Sequence, residues 1–376
     1  MKSTLSTICN GIQIVSFDVP DPPNYGGVID VYYKLKALSH LGVTIYLHTF
    51  EYGRGTSLEL DNLCEKVYYY PRNSFVNSFF SRSPFIVKSR DQQLLQQRLQ
   101  NTNLPILFEG IHTVSGLKNQ CFKVKTLVRM HNIEHAYYWG LAKSEQNWLK
   151  KLFFGFEAFK LKHYESVLTH ADVILSISSN EQAYFDKHFG KKSVYVPVFT
   201  QTEFSPLLPA EPFVLWHGDL RVSDNVKSAL WALEIVKNTP FSLVIASNTK
   251  HPKVVAACKK NSKVRFDALE QSNSLEALIA KAQVNFLFTF QATGIKLKLL
   301  NTLIKGRFVI ANQKMIAHTG LESLCVEANT IAQVKYQLSL LMSTPFSKEK
   351  RQQRKQLLQD FNAVDNAKKI IRLCSD

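Results

Sequence analysis

Short apolar runs alternate with longer stretches of helical periodicity along most of the chain. Residues 12–17 predict a first strand, and after a turn-rich stretch the apolar spacing within 28–41 predicts a helix. Gly42 follows that helix and can adopt the left-handed conformation that ends many helices. Residues 44–50, rich in β-branched and aromatic side chains, predict the second strand. The chain therefore begins with a strand–helix–strand unit.

The same alternation continues to the end of the sequence. In the first half it predicts strands at 67–70, 106–108, 126–128, 173–176 and 195–198, and helices at 86–99, 133–168 and 181–188, the second of these broken at Gly140 and Gly155. In the second half it predicts strands at 213–216, 242–246, 264–266, 284–288 and 308–311, and helices at 225–236, 254–260, 275–281, 295–305, 331–342 and 348–373. Helices between strands imply right-handed crossovers and parallel sheets with helices on both faces.

The length of the chain and one irregular segment indicate two domains. A chain of 376 residues exceeds the size at which single cores usually stop growing. Residues 199–211 contain two prolines and little periodicity, as linkers do. We therefore expect a Rossmann-like domain over 1–200, a second over 201–350, and a helix over 351–376 that packs back toward the first. Two such α/β domains facing across a cleft would bind ligands beyond the carboxyl ends of their strands.

The charge balance indicates anionic ligands. The sequence carries 46 Lys and Arg against 30 Asp and Glu, a formal net charge of +16. Such an excess attracts nucleic acid, anionic membranes or phosphorylated ligands. We do not expect nucleic-acid binding, because the sequence contains no zinc-finger, helix-turn-helix or RNA-recognition motif.

The spacing of the cysteines and the length of the apolar runs indicate the cellular compartment. The six cysteines are widely spaced and include no C-x-x-C pair, which predicts free thiols in a reducing compartment. The N-terminal residues lack the apolar core of a signal peptide, and no apolar run approaches 18 residues. We therefore predict a cytoplasmic protein.

The first candidate ligand site follows the first predicted strand. Asn24, Tyr25, Gly26 and Gly27 open the first helix, where glycines let a ligand approach the backbone and the helix N-terminus favours anions. A full G-x-G-x-x-G fingerprint is absent. A glycine turn that only starts the helix is the alternative interpretation.

Polar residues also follow the strands at 106–108 and 126–128. At the carboxyl edge of a parallel sheet, such residues are placed to contact a ligand. The candidates are Glu109 and His112 behind one strand, and Arg129, His131, Asn132 and Glu134 behind the other. Glu134 has an alternative role as a helix-start residue, because an acid there favours the helix dipole.

A third polar stretch, residues 216–225, lies between the first strand and the first helix of the second half. It contains Gly218, Asp219 and Arg221, whose guanidinium can hold a phosphate in a bidentate manner. Ser223 or Asp224 is predicted to cap the helix. The alternative is a capped surface loop without a ligand.

The segment behind the apolar run VNFLF is the most informative. Thr293 and Gly294 open a helix, and Lys296 and Lys298 lie in its first turn. Cations at a helix N-terminus oppose the dipole at a cost of roughly 0.3–1 kcal/mol each, and a bound anion would reverse that effect. Lys298 and Asn301 share a helix face, so a phosphate contact at one and a sugar-hydroxyl contact at the other are compatible.

Three motifs together resemble those of retaining glycosyltransferases of the two-Rossmann, or GT-B, fold, closest to the large family-4 type. The stretch from 294 to 321 (GIKLKLLNTLIKGRFVIANQKMIAHTGL) is similar to the donor-nucleotide motif of that group. HNIE at 131–134 and HGDL at 217–220 are similar to two further motifs and occur in the same order. The resemblance implies transfer of a hexosyl group from a nucleotide-sugar donor to a saccharide or lipid-linked acceptor, in cell-surface polysaccharide or lipopolysaccharide synthesis.

The resemblance also implies roles for individual residues. Lys298 corresponds to the lysine that contacts the donor diphosphate, Arg221 lies in the loop that supplies an arginine to it, and His131 corresponds to a histidine near the donor sugar. These three are the predicted catalytic residues. The predicted donor-binding residues are Gly218, Asp219, Thr293, Gly294, Lys296, Asn301, Gly320 and Leu321, and the predicted acceptor and phosphate loop is Asn24, Tyr25, Gly26 and Gly27.

The sequence departs from the family pattern at two acidic positions. Asn301 stands where the family usually has a glutamate that grips the ribose, and residues 290–292 contain no acid where a second is usual. No Asp-x-Asp pair occurs, so Arg221, Lys298 and a helix N-terminus would neutralise the diphosphate, and we expect no metal and no cofactor. A nucleotide-sugar epimerase on the same fold and a non-catalytic nucleotide-sugar binding protein are the alternatives.

Residues 148–162 mix phenylalanines with lysines. A basic, aromatic, amphipathic helix of this kind can lie on an anionic membrane surface. The alternative is a core helix whose lysines extend to solvent. The first interpretation predicts peripheral attachment to the inner face of the membrane, which suits a lipid-linked acceptor.

Overall fold

The structure, a computed structural model, describes residues 9–24, 26–118, 122–145, 147–201, 203–204, 206–269, 272–290 and 297–375. These residues divide into two compact units. Unit 1 takes the described residues up to Gln201 and from Asp360 onward, and unit 2 takes the described residues between them. Each unit has its own parallel sheet.

The sheet of unit 1 contains seven strands among the described residues, in the order β3-β2-β1-β4-β5-β6-β7. All neighbouring strands pair in parallel. The strands are β1 Gly11–Ser16, β2 Thr44–Glu51, β3 Lys66–Pro71, β4 Ile106–Glu109, β5 Thr126–Met130, β6 Val173–Ser176 and β7 Ser193–Tyr195. The strand order reverses between β1 and β4, which is the switch point where ligands bind in doubly wound sheets.

Eight helices connect these strands within the described part of the chain. They are α1 Gly26–His40, α2 Leu58–Leu63, α3 Phe75–Phe79, α4 Phe85–Lys88, α5 Gln93–Gln100, α6 Glu134–Ser144, α7 Trp148–Tyr164 and α8 Ser179–Phe189. Gly42, with φ +76°, follows α1 as expected. Alternate residues of β1 serve opposite faces of the sheet: Ile12 and Ile14 join one apolar core, and Val15 joins the other.

Two predicted helices of unit 1 are divided differently from expectation. The helix expected over 86–99 is interrupted after Lys88, and the interruption lets the buried Arg90 donate to the backbone carbonyl of Phe17 at 2.7 Å. The long helix expected over 133–168 breaks near Asn147, whose side chain caps α7. Gly140 and Gly155 lie inside helices instead, since an interior glycine costs only about 1 kcal/mol relative to alanine.

Unit 2 repeats the architecture with the strand order β10-β9-β8-β11-β12-β13. Its strands, all paired in parallel, are β8 Glu211–His217, β9 Ser242–Ser247, β10 Val264–Ala268, β11 Ala282–Leu287, β12 Phe308–Ala311 and β13 Val326–Glu327. Its helices are α9 Ser223–Val236, α10 Pro252–Cys258, α11 Ser272–Lys281, α12 Leu297–Lys305, α13 Gln313–Ile316, α14 Ile331–Leu341 and α15 Lys348–Leu357. This order is the one found in dinucleotide-binding Rossmann sheets.

The single helix expected over 348–373 is two helices with different partners. α15 belongs to unit 2, where the buried guanidinium of Arg354 donates to the carbonyls of Leu303, Gly306 and Arg307 at 2.7–2.9 Å. After a short 3₁₀ turn the chain forms α16 Ala363–Ser375, which belongs to unit 1 and packs on α1. The break lets each half satisfy a different core.

The described cysteines, which exclude residue 121, are all free thiols. Within the described residues, no helix is both long enough and apolar enough to cross a membrane.

The packing of α16 on α1 gives a test of the fold. Ile370 is fully buried in the core that contains Leu35 and Leu38. Ile370→Ala should lower the free energy of unfolding by about 2–5 kcal/mol, because it leaves a cavity under α1. Urea unfolding followed by circular dichroism measures this loss. Leu357→Ala, on the half-exposed side of α15, is the matched control and should cost far less; equal losses would contradict the placement of α16.

Candidate functional site

The carboxyl ends of β1, β4 and β5 gather the polar residues of unit 1. These strands are neighbours in the sheet, so the residues that close them or follow them share one edge. Glu109 closes β4 and His131 follows β5. Arg129, predicted to lie behind the strand, is instead a residue of β5 itself and is fully buried.

Two acids and a lysine form the centre of this edge. The Lys34 ammonium lies 3.0 Å from Asp30 Oδ2 and 2.5 Å from Glu109 Oε1. All three side chains are at most 1% exposed. The lysine therefore joins α1 to the end of β4 through ion pairs shielded from water, which makes removal of either partner costly.

Arg129 adds a second cation to the same group. Its guanidinium donates two hydrogen bonds to Asp30, at 2.9 and 3.1 Å, and further bonds to the carbonyls of Val196 and Pro197. The backbone N–H of Phe199 also donates to Asp30 at 2.7 Å. Asp30 thus ties α1 to β5 and to the segment after β7.

The cations decide the ionisation of the buried acids. Burial alone would raise the pKa of Asp30, but the charges of Arg129 and Lys34 outweigh it and hold the pKa well below its usual range. Burial likewise opposes the ionised form of Glu109, and Lys34 and a hydrogen bond from His131 lower its pKa below the usual value. Two carboxylates and two cations therefore balance one another at neutral pH.

His131 is the part of this group that reaches solvent. Its Nε2 lies 3.0 Å from Glu109 Oε2, and its side chain is 11% exposed. A carboxylate accepts but does not donate, so the hydrogen in this bond belongs to the imidazole. The pair fixes the tautomer and orientation of the ring, as carboxylate–histidine pairs do in catalytic sites.

An aromatic ring explains one predicted glycine. A Cβ at Gly27 would lie 2.4 Å from Cζ of Phe17, so the ring needs a residue without a side chain at this position. Phe17 stacks edge-on against His131 at 5.5 Å and contacts His112 at 5.1 Å. Burial holds the pKa of His112 well below its usual value, so this histidine is neutral and part of the packing.

The remaining described candidates of unit 1 have other partners or belong to helix starts. Glu134 begins α6 and is buried, and burial raises its pKa to about 7. Its carboxyl group accepts a hydrogen bond from Asn132 at 3.3 Å. Asn24 accepts from Arg54 at 2.9 Å, and Gly26 begins α1. Tyr25 lies outside the described residues.

In unit 2 the end of β8 contacts α12, the helix that contains the predicted residues Lys298 and Asn301. His217, the last residue of β8, is 4% exposed and contacts Thr302 of α12 at 3.2 Å. Burial, together with the nearby charge of Lys298, lowers the pKa of His217 to about 3. Lys298, Asn301 and Thr302 share one face of α12, so this face meets the end of β8. Thr293, Gly294 and Lys296 lie outside the described residues.

The loop after β8 is held by Asp219. Its carboxylate binds Arg221 in a bidentate pair and accepts from the Thr249 hydroxyl at 3.1 Å. The Asn225 amide donates to the Asp219 carbonyl at 2.9 Å. The Arg221 side chain is 73% exposed, so an incoming anion can reach it. A larger residue at position 218 would be crowded, because a Cβ there would lie 3.0 Å from the ring of Trp216.

The predicted cap of the next helix is wrong. Val222 is the N-cap of α9, and neither Ser223 nor Asp224 caps it. Asp224 turns away because it has partners behind β11: it accepts from the Thr289 hydroxyl at 3.0 Å and from the backbone N–H of Phe290 at 3.2 Å. An acid from α9 thus reaches the end of β11, where the sequence itself contains none.

The predicted turn at Gly320 and Leu321 has a role in the packing of unit 2. Gly320 has φ +74°, a conformation that favours glycine. Leu321 is fully buried, and its N–H donates to the Thr319 hydroxyl at 3.1 Å. A ligand at this turn would therefore meet backbone and neighbouring polar groups, since the leucine side chain belongs to the core.

One cluster has the composition of a metal site. Ligand atoms of Asp30, Glu109 and His131 lie within 4.8 Å of one another. Lys34 and Arg129 already bond to these carboxylates. A divalent cation would have to displace or repel them, so the residues present fit a charge-balanced cluster better than a metal centre.

Asp30 and Lys34 were not among the predicted site residues, and Asp224 was predicted only as a helix cap. Asp30 and Lys34 stand four residues apart at the border of the apolar stripe of α1. An acid and a base at that spacing can pair on one face of a helix, and this pattern was the available signal for a buried ion pair. The local sequence carried no corresponding signal for Asp224, because its partners lie 65 and 66 residues away.

The charge balance of unit 1 can be tested by removing its lysine. Lys34→Met should lower the free energy of unfolding by about 3–5 kcal/mol, because it leaves Asp30 and Glu109 short of one buried cation. Lys34→Met/Glu109→Gln removes one charge of each sign and should recover part of the loss. Urea unfolding at pH 7 measures both variants. A double variant that is no more stable than the single one would contradict the balance.

Comparisons with known proteins find one protein that is similar in sequence and several solved structures that are similar in fold. No protein-family model matches the sequence. A protein of the cps region of Klebsiella pneumoniae, described as an uncharacterized 44.6 kDa protein, is 28% identical over 243 residues. That match covers 61% of this chain and 62% of the relative, so it spans less than two thirds of the relative's length.

Solved structures match nearly the whole chain at low identity. The N-terminal domain of Candida albicans trehalose-6-phosphate phosphatase has a TM-score of 0.69 at 12% identity, covering 99% of this chain and 98% of that one. Anabaena HepE, solved with UDP and glucose, has a TM-score of 0.67 at 11% identity, covering 96% and 98%. A glycosyltransferase of Rickettsia africae has 0.65 at 14%, covering 97% of each. With its two Rossmann-like units, this chain has the GT-B glycosyltransferase fold.

Proposed function

We propose that this chain is a metal-independent glycosyltransferase that moves a hexosyl group from a nucleotide-sugar donor to a saccharide or lipid-linked acceptor. The observation that carries the proposal is the contact at 3.2 Å between His217 at the end of β8 and Thr302 of α12, the helix that contains Lys298. These residues come from two motifs that are far apart in the sequence, and the resemblance assigns both motifs to donor recognition.

The donor site lies in unit 2 under this proposal. Lys298 stands in the first turn of α12, where its charge opposes the helix dipole unless an anion binds. A diphosphate at this place would be attracted by the ammonium and by the helix N-terminus together. Asn301, one turn further on the same face, would hydrogen-bond a sugar hydroxyl.

Arg221 is the second cation of the proposed donor site. Its bidentate pair with Asp219 presents the same planar geometry that a phosphate would use. The arginine is exposed, and we infer that it exchanges the carboxylate for a diphosphate oxygen when the donor binds. Before the donor binds, Asp219 would keep Arg221 in place. Once it is bound, Arg221 and Lys298 would neutralise the leaving diphosphate without a metal.

In unit 1, the group that we propose for the transfer step is the imidazole of His131. Glu109 holds the imidazole of His131 in one orientation, and the buried charges behind it keep Glu109 ionised. We assign His131 to the donor sugar and the loop containing Asn24 and Gly27 to the acceptor. Retention of configuration is part of the proposal through the family resemblance.

Two relatives support the biological setting that we propose. HepE was solved with UDP and glucose, which are the parts of a nucleotide sugar. The Klebsiella relative belongs to a cps region. We therefore propose a role in the synthesis of a cell-surface polysaccharide.

The donor site predicts an effect on nucleotide affinity. Lys298→Ala should weaken the binding of the preferred nucleoside diphosphate, chosen among UDP, GDP and ADP, by about 10- to 100-fold, because a charge-assisted contact is lost. Isothermal titration calorimetry without added metal measures the affinity. Lys237→Ala, which removes an exposed lysine of unit 2 paired with Glu234, is the matched control. Unchanged affinity in Lys298→Ala would remove the central motif from the site.

Removing the imidazole of His131 should reduce turnover. His131→Ala should lower the release of nucleoside diphosphate from the preferred nucleotide sugar by about 100-fold or more, while donor affinity stays within about threefold. Glu109→Gln, which keeps a hydrogen-bond acceptor for the ring, should lie between the variant and the wild type. His188→Ala on the exposed side of α8 is the control. Wild-type turnover in His131→Ala would reduce His131 to a structural residue, and donor binding without turnover in the wild type would favour a binding protein.

A further inference from the structure

One side of α7 exposes an unusual amount of apolar surface. Trp148, Leu149, Leu152, Phe156 and Phe159 are each 60–67% exposed. At 3.6 residues per turn they fall within about 100° of arc, so they form one stripe along the helix. An apolar stripe of this width normally faces a core. Here it faces outward.

The outward direction of the stripe is fixed by the opposite face of the helix. Glu157, Ala158 and Leu161 are at most 5% exposed and lie on the other side of α7. The Glu157 carboxylate accepts the backbone N–H of Phe85 at 2.6 Å and pairs with Lys160 at 3.0 Å. Rotating the stripe inward would expose Leu161 and break the buried bond of Glu157.

A neighbouring segment extends the stripe into a broader surface. Phe75, Val76, Phe79 and Phe80 are 40–81% exposed. Phe79 stacks on Phe153 of α7 at 5.9 Å, which joins the two segments. The exposed apolar side chains of residues 75–80 and 148–159 are called the aromatic face below. Contiguous apolar surface of this kind on a folded protein marks an interaction site.

A basic cavity borders the aromatic face. It has a volume of about 560 Å³, and Phe159 and Lys160 of α7 form part of its wall. Arg82 and Lys118 also line it, and both are exposed. Within the described residues neither of them makes an ion pair, whereas the lysine and aspartate at positions 88 and 91 of the same wall pair with each other. The cavity therefore keeps uncompensated positive charge.

We propose that the aromatic face and the basic cavity dock unit 1 on an anionic phospholipid bilayer. Aromatic and aliphatic side chains would enter the interface between headgroups and acyl chains, and Arg82 and Lys118 would contact headgroup phosphates in the cavity. The excess of 46 basic over 30 acidic residues in the chain acts in the same direction.

The charges favour a bilayer over a second copy of the chain. A twofold interface built on this face would place the uncompensated cations of one copy near those of the other, which is unfavourable. An anionic surface neutralises them. The docking surface is independent of the donor residues and goes beyond the proposed function. For a lipid-linked acceptor it would bring unit 1 to the layer that contains the substrate.

Vesicle co-sedimentation of the full chain tests the docking surface. The wild type should bind vesicles that contain phosphatidylglycerol at least tenfold more tightly than pure phosphatidylcholine vesicles, and salt should weaken the binding. Phe80→Ser/Phe156→Ser should lose at least tenfold in affinity for the anionic vesicles. Arg82→Glu/Lys118→Glu should abolish the preference for anionic lipid. Tyr336→Ser/Leu340→Ser, which removes exposed apolar side chains of α14 in unit 2, is the control and should bind as the wild type does.

Two further measurements separate the outcomes. The melting temperature and the affinity for nucleoside diphosphate should match the wild type in every variant, so that lost vesicle binding is distinguished from misfolding and from failure of the donor site. Light scattering measures self-association. Wild-type vesicle binding by Phe80→Ser/Phe156→Ser would overturn the proposal. Equal binding of the wild type to neutral and anionic vesicles would also overturn it. A wild-type dimer that only Phe80→Ser/Phe156→Ser disrupts would do the same.

Discussion

Burying the carboxylate of Asp30 constrains the whole carboxyl edge of unit 1. An isolated charge in this position would be strongly unfavourable, so the fold must bring donors to it. It receives bonds from Lys34, from Arg129 and from the backbone of Phe199. The donors come from α1, from β5 and from the segment after β7, so the buried charge ties three parts of the chain together. Lys34 then bonds Glu109, and Glu109 orients His131.

The two units present polar groups at their sheet edges in different ways. Unit 1 buries a balanced set of charges and exposes only the histidine in front of it. In unit 2 the predicted donor cations are more accessible: Arg221 is exposed and held by Asp219, and Lys298 is half-buried close to a buried, neutral His217. A rigid imidazole suits the positioning of a reacting group, whereas accessible cations suit a diphosphate that enters and leaves. This division of roles agrees with the proposed transfer reaction.

Local sequence patterns were sufficient for most strands of both sheets, because these are short apolar runs bounded by turns. They missed the two-residue strand β13, and the strand expected over 195–198 lies earlier in the chain as β7. They failed where a distant partner decides the structure. Arg129 looks like a loop residue behind its strand, yet Asp30, 99 residues away, draws it into the core. Arg90 interrupts an expected helix to reach Phe17, 73 residues away. Asp224 leaves its expected cap for Thr289. The polar cluster of unit 1 was predicted in the same uneven manner. His131 and Glu109 follow from strand ends, whereas the bonds of Lys34 to Glu109 and of Asp30 to Arg129 depend on the tertiary fold.

A crystal structure of the wild type with its preferred nucleoside diphosphate, grown without a divalent metal, would test the proposed donor site. We expect the diphosphate at the carboxyl end of β8, with an oxygen about 3 Å from Lys298 Nζ and with Arg221 turned from Asp219 toward the phosphate. A nucleotide bound away from β8, or one bound there with Lys298 and Arg221 uninvolved, would contradict it.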